Sequence, residues 1–543
     1  MHNVFVTIAS QNFAPQLRCL FESLRTHHPD ARLTLCLVEE DANPEIFPAG
    51  EFEIVLAKDV VGDGFYGMAY ASGITELATA TKPFVLKWLL DRGEQTATYI
   101  DPDCFLFSPL EEVFDLLNEG ANVVLTPHAT EPIQDACQPG EIDLLRSGTF
   151  NLGFIAVRES AETRRFLDWW SARLRDHCVF DPVAGLFVDQ KWMDLTPSFF
   201  DGVSILRHPG YNVAYWNLFQ RSIKRAPGGW QVDGEALRFF HFSGLPKDDV
   251  RKISRHQNRL QSENVGPFMV EFESYLARLA SNGLKPSDEA KYSYSLRWGG
   301  KPLESQALRT ALRKSGGYKV ESLDDFDDEG PIEELLTPQP FLPPDEMFPI
   351  SKLLYQAWLE RPSFAQQFPL FTPEGRARFL FWVLDGGYTQ LEIDRRLLPW
   401  RALSTPVEGA LGGPLAIPPM IWLAWLTDAK LRRTTQFDTE AGFAQILIEL
   451  QRQIDEGEQP EWLLPEEYTS SVVIGDGSSP ITVAQYAVWN VRPDLQSAFD
   501  LESPIGRTDF LRWCRGSSPK EELPWMAKRI APKLENVLED IPE

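Results

Sequence analysis

Apolar and polar positions alternate in two rhythms along the first 280 or so residues. Val4–Ala9 is a β-branched run that reads as a strand. Pro15–His27 follows with Leu17, Leu20, Phe21 and Leu24 on one helical face. Arg32–Val38 reads as a second strand, Pro83–Leu90 as helix, and Thr98–Ile100 as the start of another strand. Strand and helix taken in turn predict an α/β fold with a mostly parallel sheet covered by helices. Ligands of such sheets sit at the carboxyl ends of the strands.

The rhythm changes after about residue 283. The stretch 284–348 carries the acidic run Asp324-Asp325-Phe326-Asp327-Asp328-Glu329, followed by Pro331, Pro338, Pro340, Pro343 and Pro344. It reads as a linker or irregular surface segment. Residues 349–543 read as mainly α-helical and hide a duplication. Pro349–Trp382 aligns without gaps on Pro480–Trp513 at a constant offset of 131, with 14 of 34 positions identical. Average residue usage gives about two by chance. The pairs include Tyr355/Tyr486, Trp358/Trp489, Arg361/Arg492, Phe368/Phe499, Gly375/Gly506, Arg376/Arg507, Phe379/Phe510 and Trp382/Trp513. Each copy predicts one helix ending before Arg-Pro and another starting near Gly-Arg. Their aromatics read as core, with a surface for a partner or long acceptor as the sharper alternative.

Composition narrows the function. Apolar residues are 43% and charged residues 24% of 543, which is ordinary for a globular protein. Lys plus Arg is 52 against 78 Asp plus Glu, a net charge of −26. Such a surface repels phosphate backbones and argues against a general nucleic-acid binder. The six cysteines form no C-x-x-C pair and predict neither a zinc site nor a disulfide framework. Met1-His2-Asn3-Val4 reads as the approach to a strand and not as a signal peptide. The apolar stretch Ala416–Leu426 is too short to cross a bilayer, so a cytoplasmic location is expected, with any membrane association through partners or acceptor.

The chemistry begins at Tyr99-Ile100-Asp101-Pro102-Asp103-Cys104. A strand delivers two carboxylates one residue apart at a turn, a pattern that suits a hard divalent cation. Downstream lie Phe150-Asn151-Leu152-Gly153-Phe154, Val188-Asp189-Gln190-Lys191, His208-Pro209-Gly210-Tyr211-Asn212 and Phe240-His241-Phe242-Ser243-Gly244, with Lys247 three residues on. Flat aromatic rings stack on sugars and amides bind hydroxyls, so Tyr211, Asn212 and Trp216 are candidates for contact with an acceptor or sugar.

Taken together, these motifs resemble the GT-A glycosyltransferases, especially the retaining family 8 type of galactosyltransferases and glycogenin relatives. The order D-x-D, F-N-x-G, D-Q, then H-x-x-G-x-x-K is the family's, and it spans about Met1–Pro246. The resemblance implies a Rossmann-like nucleotide-diphospho-sugar transferase domain over 1–283. It implies that Asp101, Asp103 and His241 hold one cation, Mn²⁺ ahead of Mg²⁺ because the set mixes carboxylate with imidazole. It implies donor contacts from Thr7, Ala9, Lys82, Asn151, Gly153, Gly244 and Lys247, with Lys87 competing for the role of Lys82. Asp189 and Gln190 are the implied catalytic pair, facing the anomeric carbon. Ala9 and Ser10 stand where some relatives carry an acid against uracil, and Lys191 where a second acid often follows Gln.

The expected activity is therefore transfer of a hexose or related sugar, with retention, from a nucleotide diphosphate (a UDP-sugar) to a saccharide, lipid-linked saccharide or protein, as in bacterial surface-polysaccharide synthesis. The alternative is a non-catalytic GT-A-like sugar-binding or scaffold protein whose helical half binds partners. A haloacid-dehalogenase-type phosphatase also uses D-x-D, but near its N-terminus and with Thr or Val where Phe105-Leu106 stand here.

Overall fold

The computed structural model describes residues 3–48, 50–182, 184–246, 249, 251–283, 290–316, 319–340, 342, 348–405, 407, 418–435, 446–447, 449–450, 453–454, 457–463, 471–472 and 481–515. The chain divides into two compact units: Met1–Glu304 with Arg313–Glu329, and Ser305–Leu312 with Gly330–Glu543.

The first unit is built on a seven-stranded sheet. Its strands are β1 (Val4–Ala9), β2 (Arg32–Leu37), β3 (Glu53–Leu56), β4 (Thr96–Ile100), β6 (Val123–Pro127), β7 (Phe150–Arg158) and β10 (Val203–Ile205), in the order β10-β6-β7-β4-β1-β2-β3. The pairs β1–β2, β2–β3, β1–β4 and β6–β10 are parallel; β7 runs antiparallel to both β4 and β6. The α/β expectation holds, with β7 as the reversed strand. All six residues of β1 are buried, so this strand has helices on both faces, as its unbroken apolar run requires. The helix Ala14–His27 buries Leu17, Leu20, Phe21 and Leu24, the face read from the sequence.

Strand order reverses at β1. From it the chain builds outward through β2 and β3, then returns to place β4 on its other side. The carboxyl ends of β1 and β4 therefore flank a crevice at the switch point. Four short pairs surround this frame. β5 (Cys104–Leu106) pairs antiparallel with β14 (Phe239–His241). β8 (Phe180–Asp181) and β9 (Leu186–Phe187) form a hairpin just before Asp189. β11 (Ile223–Ala226), β12 (Gly229–Val232) and β13 (Glu235–Ala236) form a meander.

The stretch 284–348 carries ordered elements among its described residues, which the linker reading left out. β15 (Leu296–Trp298) pairs with β16 (Lys301–Leu303), and helices cover Gln306–Ser315 and Gly330–Leu336. Tyr294, Leu296 and Phe326 are buried, and Phe326 packs edge-on against Tyr70. The acidic run is partly local capping: Asp325 Oδ2 accepts from the backbone N–H of Glu321 at 2.7 Å and of Ser322 at 2.9 Å. Counting prolines and charges hid the apolar residues spaced between them.

In the second unit the duplicated segments fold alike. Helices Lys352–Leu359, Phe364–Gln367 and Pro373–Trp382 of the first copy answer to Val483–Val491, Pro493–Ala498 and Pro504–Arg515 of the second. Shared residues repeat their contacts. Trp358 Nε1 donates to Phe368 O at 3.0 Å, and Trp489 Nε1 to Phe499 O at 2.9 Å. Arg376 and Arg507, both buried, each donate to a leucine carbonyl at 2.8 Å, that of Leu370 and that of Leu501. The Phe379–Trp382 and Phe510–Trp513 rings stack in the same way. The core reading of these aromatics is the one their contacts match.

Gly375 and Gly506 are needed for close approach. A Cβ on them would lie 2.0 Å from Pro369 O and 1.9 Å from Asp500 O. In an ordinary helix Gly→Ala gains about 1 kcal/mol. Here Gly375→Ala and Gly506→Ala are both expected to destabilise, and by similar amounts, in urea melts of the full chain followed by tryptophan fluorescence. A gain in stability for either would contradict the shared packing.

Candidate active site

β4 runs out at Ile100, and the chain turns through Asp101-Pro102-Asp103 into β5. Asp101 N–H donates to Gly153 O at 2.8 Å, and Cys104 N–H to Asp101 O at 3.1 Å. The turn is thus tied to β7 on one side and closed on itself. β5 then pairs with β14 in a register that sets His241 opposite Cys104. This brings together residues 137 positions apart in the sequence. His241 Nε2 lies 3.0 Å from Asp103 Oδ1 and 3.7 Å from Asp101 Oδ2. The carboxylates are 27% and 22% exposed for Asp101 and Asp103, against 4% for His241, so the imidazole forms the floor and the acids the open rim. Gly153 makes room for it: a Cβ there would fall 2.4 Å from His241 Cε1.

Lys82 opens the helix Lys82–Asp91, and its ammonium is buried. Its Nζ lies 2.8 Å from Asp189 Oδ2 and 3.8 Å from Asp101 Oδ1, donates to Leu152 O at 2.8 Å, and stands 4.6 Å over the Tyr99 ring. Lys87 points elsewhere, to Asp168. Of the two lysines, Lys82 is the one beside Asp101 and Asp189. Tyr99, which the motif includes without a role, donates its hydroxyl to Asp101 Oδ1.

The electrostatics follow from burial and neighbours. Burial opposes charge on Lys82, but Asp189 and Asp101 outweigh it and hold its pKa above the usual lysine value. Burial likewise opposes charge on His241, but the Asp103 carboxylate beside it outweighs burial and raises its pKa well above that of free imidazole. Burial would raise Asp103, yet His241 beside it leaves its pKa lowered. Burial, with Asp101 alongside, keeps Tyr99 a neutral donor, and burial pushes the Cys104 thiol up to about 12.

Among the described residues, Asp103, Cys104 and His241 form a group whose ligand atoms lie within 4.8 Å of one another. A protonated thiol is a poor ligand for a hard cation. Asp101 and Asp103 on the open rim, with His241 beneath, offer two carboxylates and an imidazole, donors that fit a divalent cation.

The remaining predicted residues fall into two groups. Asp189, Gln190, Asn151 and Gly153 lie around the same end of the sheet. Asp189 is 2% exposed and bound to Lys82; Gln190 Nε2 donates to Ser147 O at 2.9 Å; Asn151 is buried with its Oδ1 on Gly153 N–H at 3.0 Å. Thr7 and Ala9 are buried at the end of β1, and Thr7 Oγ1 has no hydrogen-bond partner among the described residues. Gly244 adopts φ +67°, and the place of its missing Cβ is taken by His256 and Ser254, so its lack of a side chain is already used within the protein. Lys247 lies outside the described residues.

The second group is not where a sugar contact was expected. Tyr211 is core: its ring packs on Phe154 and Phe239, and its hydroxyl donates to Glu112 at 3.0 Å. Asn212 is wholly buried and lies behind His241, whose Nδ1 is 3.2 Å from its Oδ1. Trp216 is buried edge-on to both His128 and His241. A loop rich in Tyr, Asn and Trp has the composition of a sugar platform, but here it turns inward. His128, on no sequence-based roster, is buried beside Asn151 and carries no motif of its own.

No family model matches the chain. It is 24% identical over 247 residues to YfnD of Bacillus subtilis (strain 168), an uncharacterised protein, covering 44% of this chain and 77% of that one. It is similar to solved structures of the galactosyltransferase LgtC in complex with donor and acceptor sugar analogs, with TM-score 0.32, 14% identity, and coverage of 50% of this chain and 95% of that chain. It is also similar to mouse xyloside xylosyltransferase 1, with TM-score 0.29, 12% identity, and coverage of 44% and 97% of the respective chains.

Proposed function

We propose that the chain is a metal-dependent glycosyltransferase that moves a sugar from a nucleotide diphosphate, a UDP-sugar, to a saccharide, lipid-linked saccharide or protein acceptor with retention of configuration. The observation that carries the reading is the meeting of Asp101, Asp103 and His241 at the carboxyl end of β4, beside a buried Lys82 and at the switch point of the sheet.

The charges argue for the cation. Asp101 and Asp103 present negative charge at the rim, and a diphosphate approaching them bare is repelled. Asp101, Asp103 and His241 would hold a divalent ion, whose charge would supply neutralisation of the phosphates of the leaving nucleoside diphosphate. The protein's own residues do the rest. Lys82 balances Asp189 and Asp101 and so fixes where each carboxylate stands. Tyr99 holds Asp101 by one oxygen, leaving the other toward His241. Asp189 and Gln190 are held on the β7 side by Lys82 and by Ser147 O. In a retaining transfer a carboxylate there stabilises positive charge at the anomeric carbon.

The test is a thermal-shift panel of UDP-, GDP-, dTDP- and CMP-sugars, with and without Mn²⁺, on wild type and Asp103→Asn. A ligand at 100 times its Kd adds about 2.7 kcal/mol. A stabilisation by UDP-sugar that needs Mn²⁺ and vanishes in Asp103→Asn is expected; a shift indifferent to both would overturn the reading. Lys82→Met leaves Asp189 buried without its cation, and losing one partner of a buried pair costs about 3–5 kcal/mol. Urea melts should show that loss, and Lys82→Met/Asp189→Leu should recover most of it.

A further inference from the structure

Asn212 has no exposed surface, yet each polar atom of its amide has a partner. Its Nδ2 donates to Thr126 Oγ1 at 2.9 Å and to Asn151 Oδ1 at 3.0 Å. Those two bonds use both of its N–H groups. Its Oδ1 is therefore the atom facing His241 Nδ1, at 3.2 Å, and Nδ1 must carry a hydrogen. Asn151 is fixed in the same sense. Its Oδ1 accepts from Gly153 N–H at 3.0 Å, and its Nδ2 faces His128 Nε2 at 3.3 Å. His128 Nδ1 lies 2.9 Å from Gly148 O, which can only accept. So His128 carries its hydrogen on Nδ1 and accepts at Nε2. Burial pushes its pKa down to about 4, in keeping with a neutral ring.

The series starts on one backbone group of known sense, Gly148 C=O, and is locked midway by another, Gly153 N–H. No amide between them can flip, and neither imidazole can change tautomer, without orphaning a buried donor or acceptor. Asn217 braces both ends of the chain: its Nδ2 donates to His128 O and to Asn212 O, each at 3.0 Å. Asn212 sits at φ +47°, a conformation asparagine tolerates better than other side chains.

We infer that His128, Asn151 and Asn212 are positioning residues that hold His241 with its hydrogen on Nδ1, so that Nε2 is the atom presented to Asp101, Asp103 and the cation between them. A ligating histidine is commonly oriented by a bond from its other nitrogen. Here that bond is the last of a buried series that begins on the far side of β7. The metal consequence rests on the proposed function; the tautomer of His128 does not.

The experiment uses the full chain. Long-range ¹H–¹⁵N correlation on ¹⁵N-histidine protein, metal-free at pH 7, reads the tautomer of His128, assigned by its loss in His128→Gln. The Nδ1–H form is expected; the Nε2–H form would overturn the inference without any variant needing to fold. Mn²⁺ is then titrated by EPR. His128→Phe keeps a ring but accepts nothing from Asn151, and it should weaken Mn²⁺ by about 10–100-fold. His128→Gln accepts from Asn151 and donates to Gly148 O, and should bind as wild type does. A folded His128→Phe with wild-type affinity overturns the relay. If wild type itself fails to bind Mn²⁺, the proposed function falls, and the tautomer measurement still decides the relay.

Discussion

The pairing of β5 with β14 is the contact on which the rest depends. It is only three residues long, yet it sets His241 opposite Cys104 and so beside Asp103. Side chains alternate faces along a strand, so a slip of one residue would send His241 to the other side and bring Phe240 or Phe242 to the acids. Apolar packing prevents that slip. Phe240 and Phe242 are buried on Phe268, Phe272 and Tyr275, with Phe242 stacked on Tyr275 at 4.0 Å between ring centroids. The aromatic residues flanking the histidine hold the register, and the register sets His241 beside the acids.

Around that contact, charge is arranged by depth. Lys82 and Asp189 are almost wholly buried, while Asp101 and Asp103 keep about a quarter of their surface. Unpaired, either buried group would be costly; together they form a rigid wall. Lys82 is shared between Asp189 and Asp101, and His241 lies beneath Asp101 and Asp103. The same division explains Tyr99, which adds a donor to Asp101 without adding charge.

Local features of this layout were legible in the sequence, and long-range ones only where a motif carried them. The β-branched run of Val4–Ala9 and the face of Leu17, Leu20, Phe21 and Leu24 repeat a short period, so strand and helix could be read directly. Asp101, Asp103, His241 and Lys82 came from motif order, not from any local period. The inward turn of Tyr211, Asn212 and Trp216 could not be read, because an aromatic-amide loop has one composition whether it faces a sugar or the core. His128 was invisible for a related reason: its role is defined by Asn151 and Gly148, which lie on other elements. The order within 284–348 was missed because Phe326 is a single apolar residue in an acidic run whose partner Tyr70 lies far off in sequence, and because the alternation of Tyr292, Tyr294, Leu296 and Trp298 was passed over beside the prolines and charges.

The duplicated unit shows where identity between copies comes from. The shared Trp and Arg each satisfy a backbone carbonyl within their own copy, and the shared Gly lets the chain pass within contact of another. These are requirements of folding, and each copy meets them internally. The large exposed apolar residues do not match: Phe371, 61% exposed, answers to Glu502, and Ile505, 73% exposed, to Glu374. The 14 identities are therefore a fold written twice, not one binding surface written twice. The internal contacts account for the shared Trp, Arg and Gly, so the duplication by itself carries no argument for a common ligand.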